Sequence, residues 1–342
     1  MTNAHVAERV HEDPQWLEAV KEEIIEPERR IIDPHHHLWE RSRNSYMVEE
    51  LWEDTGSGHA VEKTIFIECH TNYRTDGPEH LRSLGETAFA RDQAMQSRSG
   101  GKGKAQIAGI VAHTDLRRDD LQSLLDAHEE TAEGLLRGIR QAGAYEKQTD
   151  FLFIKPRQPA GLYLDSDFQR GVRQLGQRGL SYDTWHYHHQ NRDFAKLAAA
   201  APDTQLILDH FGTPLGVGPY ATQREEIYQQ WRKDIAELAR YDNLVLKLGG
   251  LAMPDNGFGW NRRDVPPTSD EFVAEQRRYY LHALDCFGPE RCMFESNFPV
   301  DKWSMSYHVL WNGLKKMVMD FSEAEKDLLF YKTAERIYRL AD

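Results

Sequence analysis

Cysteine is scarce: Cys69, Cys286 and Cys292 are the only three in 342 residues, an odd number with no CxxC pair. That argues against a disulfide framework and a thiolate zinc site, and leaves the three as reduced, small core residues. Long apolar runs are missing as well; none approaches the ~18 residues that a membrane span needs. Residues 1–30 are rich in Glu, His and Arg and lack the apolar stretch of a signal peptide, so a cytoplasmic protein is expected. Positive charge is in deficit, with 42 Lys and Arg against 55 Asp and Glu and a net charge of −13. Nucleic acid is therefore an unfavourable partner, because phosphate binding relies on cationic surface. A small-molecule substrate is the expected partner. There is no internal repeat and no linker that would license a second domain.

What is present is a globular composition, 40% hydrophobic and 28% charged, in a length normal for one α/β barrel. Short β-branched or apolar runs alternate with amphipathic stretches, the signal for parallel strands joined by helical crossovers. Eight strands are expected, at 30–38, 63–70, 105–113, 135–142, 180–188, 205–211, 244–250 and 291–297. Helical patterns fall at 117–131, 167–177, 193–200, 223–240 and 269–287. Ser322 with Glu325 reads as a capping box opening a terminal helix over 326–340. The fold class is thus α/β, a single-domain (β/α)8 TIM barrel over 31–342, with residues 1–30 as an extension packing on it. Residues 97–104 and 253–268 are long for barrel loops. Segments 40–62, 71–86, 142–164 and 253–268 should form the pocket. Whether the barrel pairs with itself or another chain stays open, with the tyrosine-rich stretch 277–280 as a candidate interface or plain packed helix.

Barrel enzymes carry their catalytic groups at the C-terminal ends of the strands. Strand one ends in His35-His36-His37, and because strand side chains alternate, His35 and His37 share a face. Two imidazoles at that spacing can converge on one ion. Strand two ends an apolar run in Glu68, and a carboxylate buried there needs a cation or donors. Strand five supplies Trp185-His186-Tyr187-His188-His189, and strand six ends in Asp209-His210. Four of the eight strands therefore end in His or Glu. Trp39, Trp185, Trp260 and Trp303 fall at or just after strand ends and could wall an apolar pocket.

Taken with Ile32-Asp33-Pro34-His35-His36-His37-Leu38-Trp39, Arg137-Gly138-Ile139-Arg140, Leu208-Asp209-His210-Phe211-Gly212, Lys247-Leu248-Gly249-Gly250 and Phe294-Glu295-Ser296-Asn297-Phe298-Pro299, these features resemble the amidohydrolase superfamily. The resemblance covers about 31–340, in the amidohydrolase-related branch that holds sugar lactonases and 2-pyrone-4,6-dicarboxylate lactonase. It implies metal ligands at His35, His37, His210 and His188, with His186, of the same parity, as substitute for His188. It implies substrate contacts at Arg140 and Lys247, with Trp39, Tyr73 and Trp185 beside them. One departure stands out: the strand-eight aspartate of such hydrolases is Asn297 here, which can coordinate through its amide oxygen but cannot act as a general base.

Glu68 would answer part of this by bridging two ions. Two readings of the reaction follow. In the first, the chain is a metal-dependent hydrolase of a lactone, ester or amide of a small carboxylated or aromatic substrate. Zinc serves there, Glu68, His188 or Asp209 handles protons, and Arg140 holds the substrate. The second keeps the ligands but makes the chain a dinuclear Fe/Fe or Fe/Mn monooxygenase using O2, for which iron or manganese is the expected cofactor. A non-catalytic barrel subunit is a third reading, which the complete histidine set argues against.

Overall fold

The computed structural model describes residues 15–41 and 44–340. Eight parallel strands lie in sequence order: β1 (Arg30–His36), β2 (Ala60–Ile67), β3 (Gln106–Ala112), β4 (Leu136–Arg140), β5 (Ser181–Thr184), β6 (Leu206–Leu208), β7 (Leu244–Leu248) and β8 (Cys292–Phe294). The sheet closes where His36 bridges Phe298: His37 N–H donates to Phe298 C=O at 2.7 Å, and Asn297 N–H to His35 C=O at 3.0 Å. The (β/α)8 barrel expected from the strand pattern is the observed fold. Many rungs pair buried apolar residues, such as Leu206 with Leu244, while Arg140 pairs with Asp183 between β4 and β5.

Strand alternation divides the core. One parity, Ile32, Ile65, Ile67, Val111, Ile207, Val245 and Met293, fills the barrel, and Ala334, Ile337, Tyr338 and Leu340 of the C-terminal segment pack into it. The other parity, with Ile31, Phe66, Ile110, Leu206, Leu208 and Phe294, meets the outer helices. The terminal helix starts at Ser322 with the expected capping box. It is not one α-helix: Glu323–Asp327 runs into a π turn at Leu328–Lys332 and then Thr333–Ile337.

Three helices lie outside the expected helical patterns. Val48–Thr55 spans barely two turns, Leu84–Ser99 buries mainly small or polar residues, and Tyr307–Met317 is buried nearly all round. Of the expected N-terminal extension, residues 1–14 lie outside the described residues. Within the rest, Trp16 donates to Arg263 C=O at 3.2 Å and the Glu22 carboxylate accepts Ser269 N–H at 2.7 Å. Among the described residues no helix is long and apolar enough to cross a membrane. Only Cys292 of the three cysteines is fully buried; Cys69 and Cys286 are half-buried. Tyr279 and Tyr280, in the stretch considered for an interface, are buried within the chain.

Candidate active site

Four of the eight strands, β2, β6, β7 and β8, are followed by left-handed residues at one end of the barrel. His70, His210, Asn297 and Gly250 have φ of +62°, +55°, +56° and +74°. Non-glycine residues rarely hold that conformation, and where they do the surroundings impose it. Each turn takes the chain out of its strand and aims the last side chains over the barrel mouth.

His35 and His37 project to the same side, as their parity requires, and their Nε2 atoms stand 3.2 Å apart. His37 Nδ1 donates to Ile67 C=O at 2.8 Å. His35 Nδ1 lies 2.7 Å from Glu295 Oε2, so it carries the proton, since two lone-pair atoms would not sit that close. Glu295 also takes the Nδ1 proton of His210 through Oε1, at 2.7 Å. All three rings thus have Nδ1 protonated and anchored, which leaves Nε2 as the bare lone pair. Burial holds His35 neutral, far below its usual value despite Glu295, and takes His37 down to about 3 with help from Arg140. Burial alone would raise Glu295, but His210 and His35 bring it down to about 2.

Below and beside these rings lies a buried charge network. Arg140 Nε meets Glu68 Oε1 at 2.8 Å, and its Nη1 lies 3.4 Å from Asp209 Oδ2. Lys247 is fully buried, with Nζ 3.1 Å from both Asp183 Oδ2 and Asp209 Oδ1. Desolvation disfavours the charge on every member, yet Arg140 and Lys247 are raised by their carboxylates, and Glu68 is held well below the usual range by Arg140 and His70. Asp183 is the exception, raised because burial and Asp209 outweigh Lys247.

A cavity of about 490 Å³ opens over the site. His37, His210, Glu68, His70, Arg140 and Asn297 reach its floor, and Trp39, Trp185, Phe153 and Trp303 wall it. Asn297 donates its amide hydrogen to Asp301 at 2.9 Å, which turns Oδ1 the other way.

Several expected site residues are elsewhere. His188 sits past the end of β5, in a short 3-10 turn, with Nδ1 accepting Leu215 N–H at 3.3 Å and its ring beside Tyr220. Its substitute His186 has both ring nitrogens engaged, with Tyr163 Oη and Asn191 Oδ1, each at 2.8 Å. Neither joins the metal face, because β5 ends at Thr184 and strand parity stops there. Lys247 and Asp209 are sealed in the charge network, out of reach of a substrate or a reacting water. Tyr73 lies behind His70, stacked on it at 5.5 Å, and Trp260 is buried against Phe258 and Phe272.

Two residues beyond the expected set belong to the site. Glu295 ends an apolar strand in a carboxylate, the same signal that singled out Glu68. His70 lies in the cavity, its Nδ1 2.9 Å from Glu68 Oε2, with His113 and Tyr73 packed behind it.

The facing Nε2 atoms of His35 and His37 can hold a divalent ion, and the His210 ring lies 4.5 Å from that of His35, its ligand atoms clustering with those of His35 and Glu295. Zinc–nitrogen bonds of about 2.0–2.1 Å in a tetrahedron put ligand nitrogens about 3.3 Å apart, and the Nε2 pair stands at 3.2 Å. Each ring is oriented by a carboxylate or carbonyl on its far nitrogen, as metal-binding imidazoles are. The buried carboxylates Glu68, Asp183, Asp209 and Glu295 outnumber the buried cations Arg140 and Lys247, which leaves room for a further positive charge. A second ion bridged by Glu68 does not fit: the Arg140 guanidinium fills that place, between Glu68 and His35 Nε2, which is 3.5 Å from Nη1. For the same reason Glu68, His70 and His113, whose ligand atoms cluster, have their cation already.

The amidohydrolase family profile matches residues 32–340. An uncharacterized protein of Sinorhizobium fredii, y4mH, is 32% identical over 324 residues, covering 91% of this chain and 98% of that protein. The L-fucono-1,5-lactonase of Burkholderia multivorans is 28% identical over 324 residues, 91% of this chain and 96% of the lactonase. Two crystal structures of a Burkholderia multivorans amidohydrolase, one with HEPES and one with zinc bound, superpose with TM-scores of 0.72 and 0.70 at 25% identity. Each covers 92% of this chain and 100% of the other.

Proposed function

Because the chain belongs to the amidohydrolase family, we propose that it hydrolyses a small lactone, using one divalent ion held by His35, His37 and His210. The observation that carries this is the pair of Nε2 atoms that face one another 3.2 Å apart. Two neutral imidazoles with lone pairs facing one another repel, and a cation between them removes the repulsion. The imidazole donor set suits zinc, and the zinc-bound relative supports that choice. The likeness to L-fucono-1,5-lactonase supports a cyclic ester over an amide. With Glu68 spent on Arg140, nothing in the geometry favours a dinuclear oxygenase.

When bound, the ion would polarise the ester carbonyl and lower the pKa of a water. The chain's own residues do the rest. Arg140, held by Glu68 and Asp209 through Nε, Nη1 and Nη2, has one Nη2 hydrogen left at the cavity floor, where it can hold the carbonyl oxygen. Trp39, Trp185 and Trp303 enclose the ring and exclude bulk water. Asn297 cannot take a proton. His70 takes it from the attacking water and returns it to the departing ring oxygen, with Glu68 holding the imidazole in place and stabilising its charged form.

The test is metal analysis of protein purified without chelator, followed by hydrolysis of a panel of five- and six-membered sugar lactones. About one equivalent of zinc is expected, with lactone hydrolysis lost on chelation and restored by zinc. Protein that binds no divalent ion, or opens none of the lactones when loaded, would overturn the reading.

A further inference from the structure

Some surface cations are paired, Arg178 with both Asp126 and Glu129, and Arg170 with Asp119 and Asp167. Those of the cavity are not. Arg41, Lys155 and Arg157 line it, and none has a carboxylate within ion-pair distance among the described residues. The one acidic residue of the lining, Glu68, is committed to Arg140 at 2.8 Å. Unpaired cations gathered in a concave, partly apolar site attract an anion.

Lys155 and Arg157 sit on a strap, residues 151–158, whose course is fixed from outside. Asp255, only 2% exposed, accepts Phe153 N–H through Oδ1 at 2.6 Å and Ile154 N–H through Oδ2 at 3.0 Å. The Tyr187 hydroxyl donates to Ile154 C=O at 3.1 Å. The Phe153 ring lies edge-on to Trp303 with centroids 3.8 Å apart. Pro156 follows, fixing its own φ and keeping Lys155 extended, and the strap then runs along the cavity through Gln158. Asp255 is itself anchored by Gly216 N–H on its carbonyl at 2.9 Å. Burial pushes its carboxyl up to about 6 even with two backbone bonds in its favour. A dry carboxylate devoted to two loop amides is a large outlay for a segment whose position does not matter.

We propose that Lys155 and Arg157, with Arg41, form an anion subsite that holds a carboxylate of the substrate remote from the cleaved ester, and that Asp255 is the positioning residue that sets the strap. The subsite rests on the lactonase reading only for the identity of the bond that is broken.

Two measurements on the zinc-loaded full chain separate the two ideas. In the first, glutarate, a plain dicarboxylate, is titrated calorimetrically into wild type, Lys155→Gln/Arg157→Gln and Asp255→Ala. Charge-assisted hydrogen bonds are strong enough that losing the two cations should weaken glutarate binding at least about tenfold. In the second, D-glucaro-1,4-lactone, which keeps a free carboxylate, competes with neutral D-galactono-1,4-lactone. The ratio of their kcat/KM values should fall about tenfold in both variants, through KM and not kcat, with zinc content unchanged. Asp255→Asn, which keeps one acceptor, should recover part of the ratio; a merely structural Asp255 would lower both lactones alike. Glutarate binding with no lactone opened leaves the subsite standing and sinks the lactonase. Lactones opened with the same ratio in wild type and Lys155→Gln/Arg157→Gln, or glutarate bound equally by both, sinks the subsite.

Discussion

Gly250 approaches His210 so closely that a Cβ at residue 250 would stand 2.3 Å from the ring's Nδ1 and 2.5 Å from its Cγ. The glycine also holds φ +74°, so an alanine there would be strained even in open space. Gly250→Ala should therefore push the His210 ring off Glu295 and destabilise the fold by about 1–3 kcal/mol. Zinc affinity should fall with it. Competition against a chromophoric chelator, beside a thermal melt, checks both; unchanged zinc affinity would mean that His210 is not a ligand.

Glu295 offers a gentler probe of the same site. It orients His35 and His210 from behind, 2.7 Å from each Nδ1, and does not need to touch the ion. Glu295→Gln keeps the shape but can satisfy only one of the two ring N–H groups. Outer-shell changes of this kind cost about 10–100-fold in metal affinity. A loss in that range, with stoichiometry still near one, is the expected outcome.

The eight strands and the barrel were legible because apolar runs buried on both faces leave no other reading at this length. The site was half legible. His35 and His37 lie within or next to β1, where alternation holds, and parity placed them correctly. Alternation failed at His186 and His188, because the chain leaves β5 after Thr184 and bends into a 3-10 turn. The expected strands overran their C-terminal ends for the same reason: His70, His210 and Asn297 adopt left-handed φ, and nothing in a His or Asn announces that in advance. Lys247 looked like a substrate contact and Asp209 like a proton carrier because sequence shows that a strand end is charged but not whether its partner is a ligand or another strand. Asp255 and the strap it holds join segments about a hundred residues apart, a pairing no local pattern encodes.

His70 carries the proton in the proposed reaction. Its replacement by Asn keeps a polar side chain beside Glu68 but removes the second ring nitrogen. His70→Asn should lower kcat for lactone opening by about 10²–10⁴ while leaving zinc content intact. A variant with wild-type kcat would return the proton to another group.

Lys247 tests the network below the site. Its Nζ is the common partner of Asp183 and Asp209, and Tyr338 of the C-terminal segment donates to Asp183 as well. Lys247→Met should cost about 3–5 kcal/mol, the range seen when one partner of a buried ion pair is removed. Lys247→Met/Asp183→Asn should cost less than the single change, because one stranded charge is gone. Denaturant melts of the two variants decide this, and equal stability to wild type would rule out the network as a structural element.

Acid stability follows from the same carboxylates. The folded-state pKa of Glu295 is depressed from 4.5 to about 2, so the unfolded chain binds its proton first as pH falls. The stabilisation is complete above about pH 4.5, erodes between that value and about 2, and is gone below it; a shift of this size corresponds to about 3 kcal/mol at most. Glu68 is depressed in the same direction by Arg140 and His70, and its share is lost over the acid range too. Urea melts of zinc-free protein, so that release of the ion does not contribute, should show stability falling steeply below pH 4.5 in wild type. The slope should be shallower in Glu295→Gln, whose amide does not titrate. Equal slopes would place the acid sensitivity elsewhere and sink the claim that Glu295 is ionised at neutral pH in the folded chain.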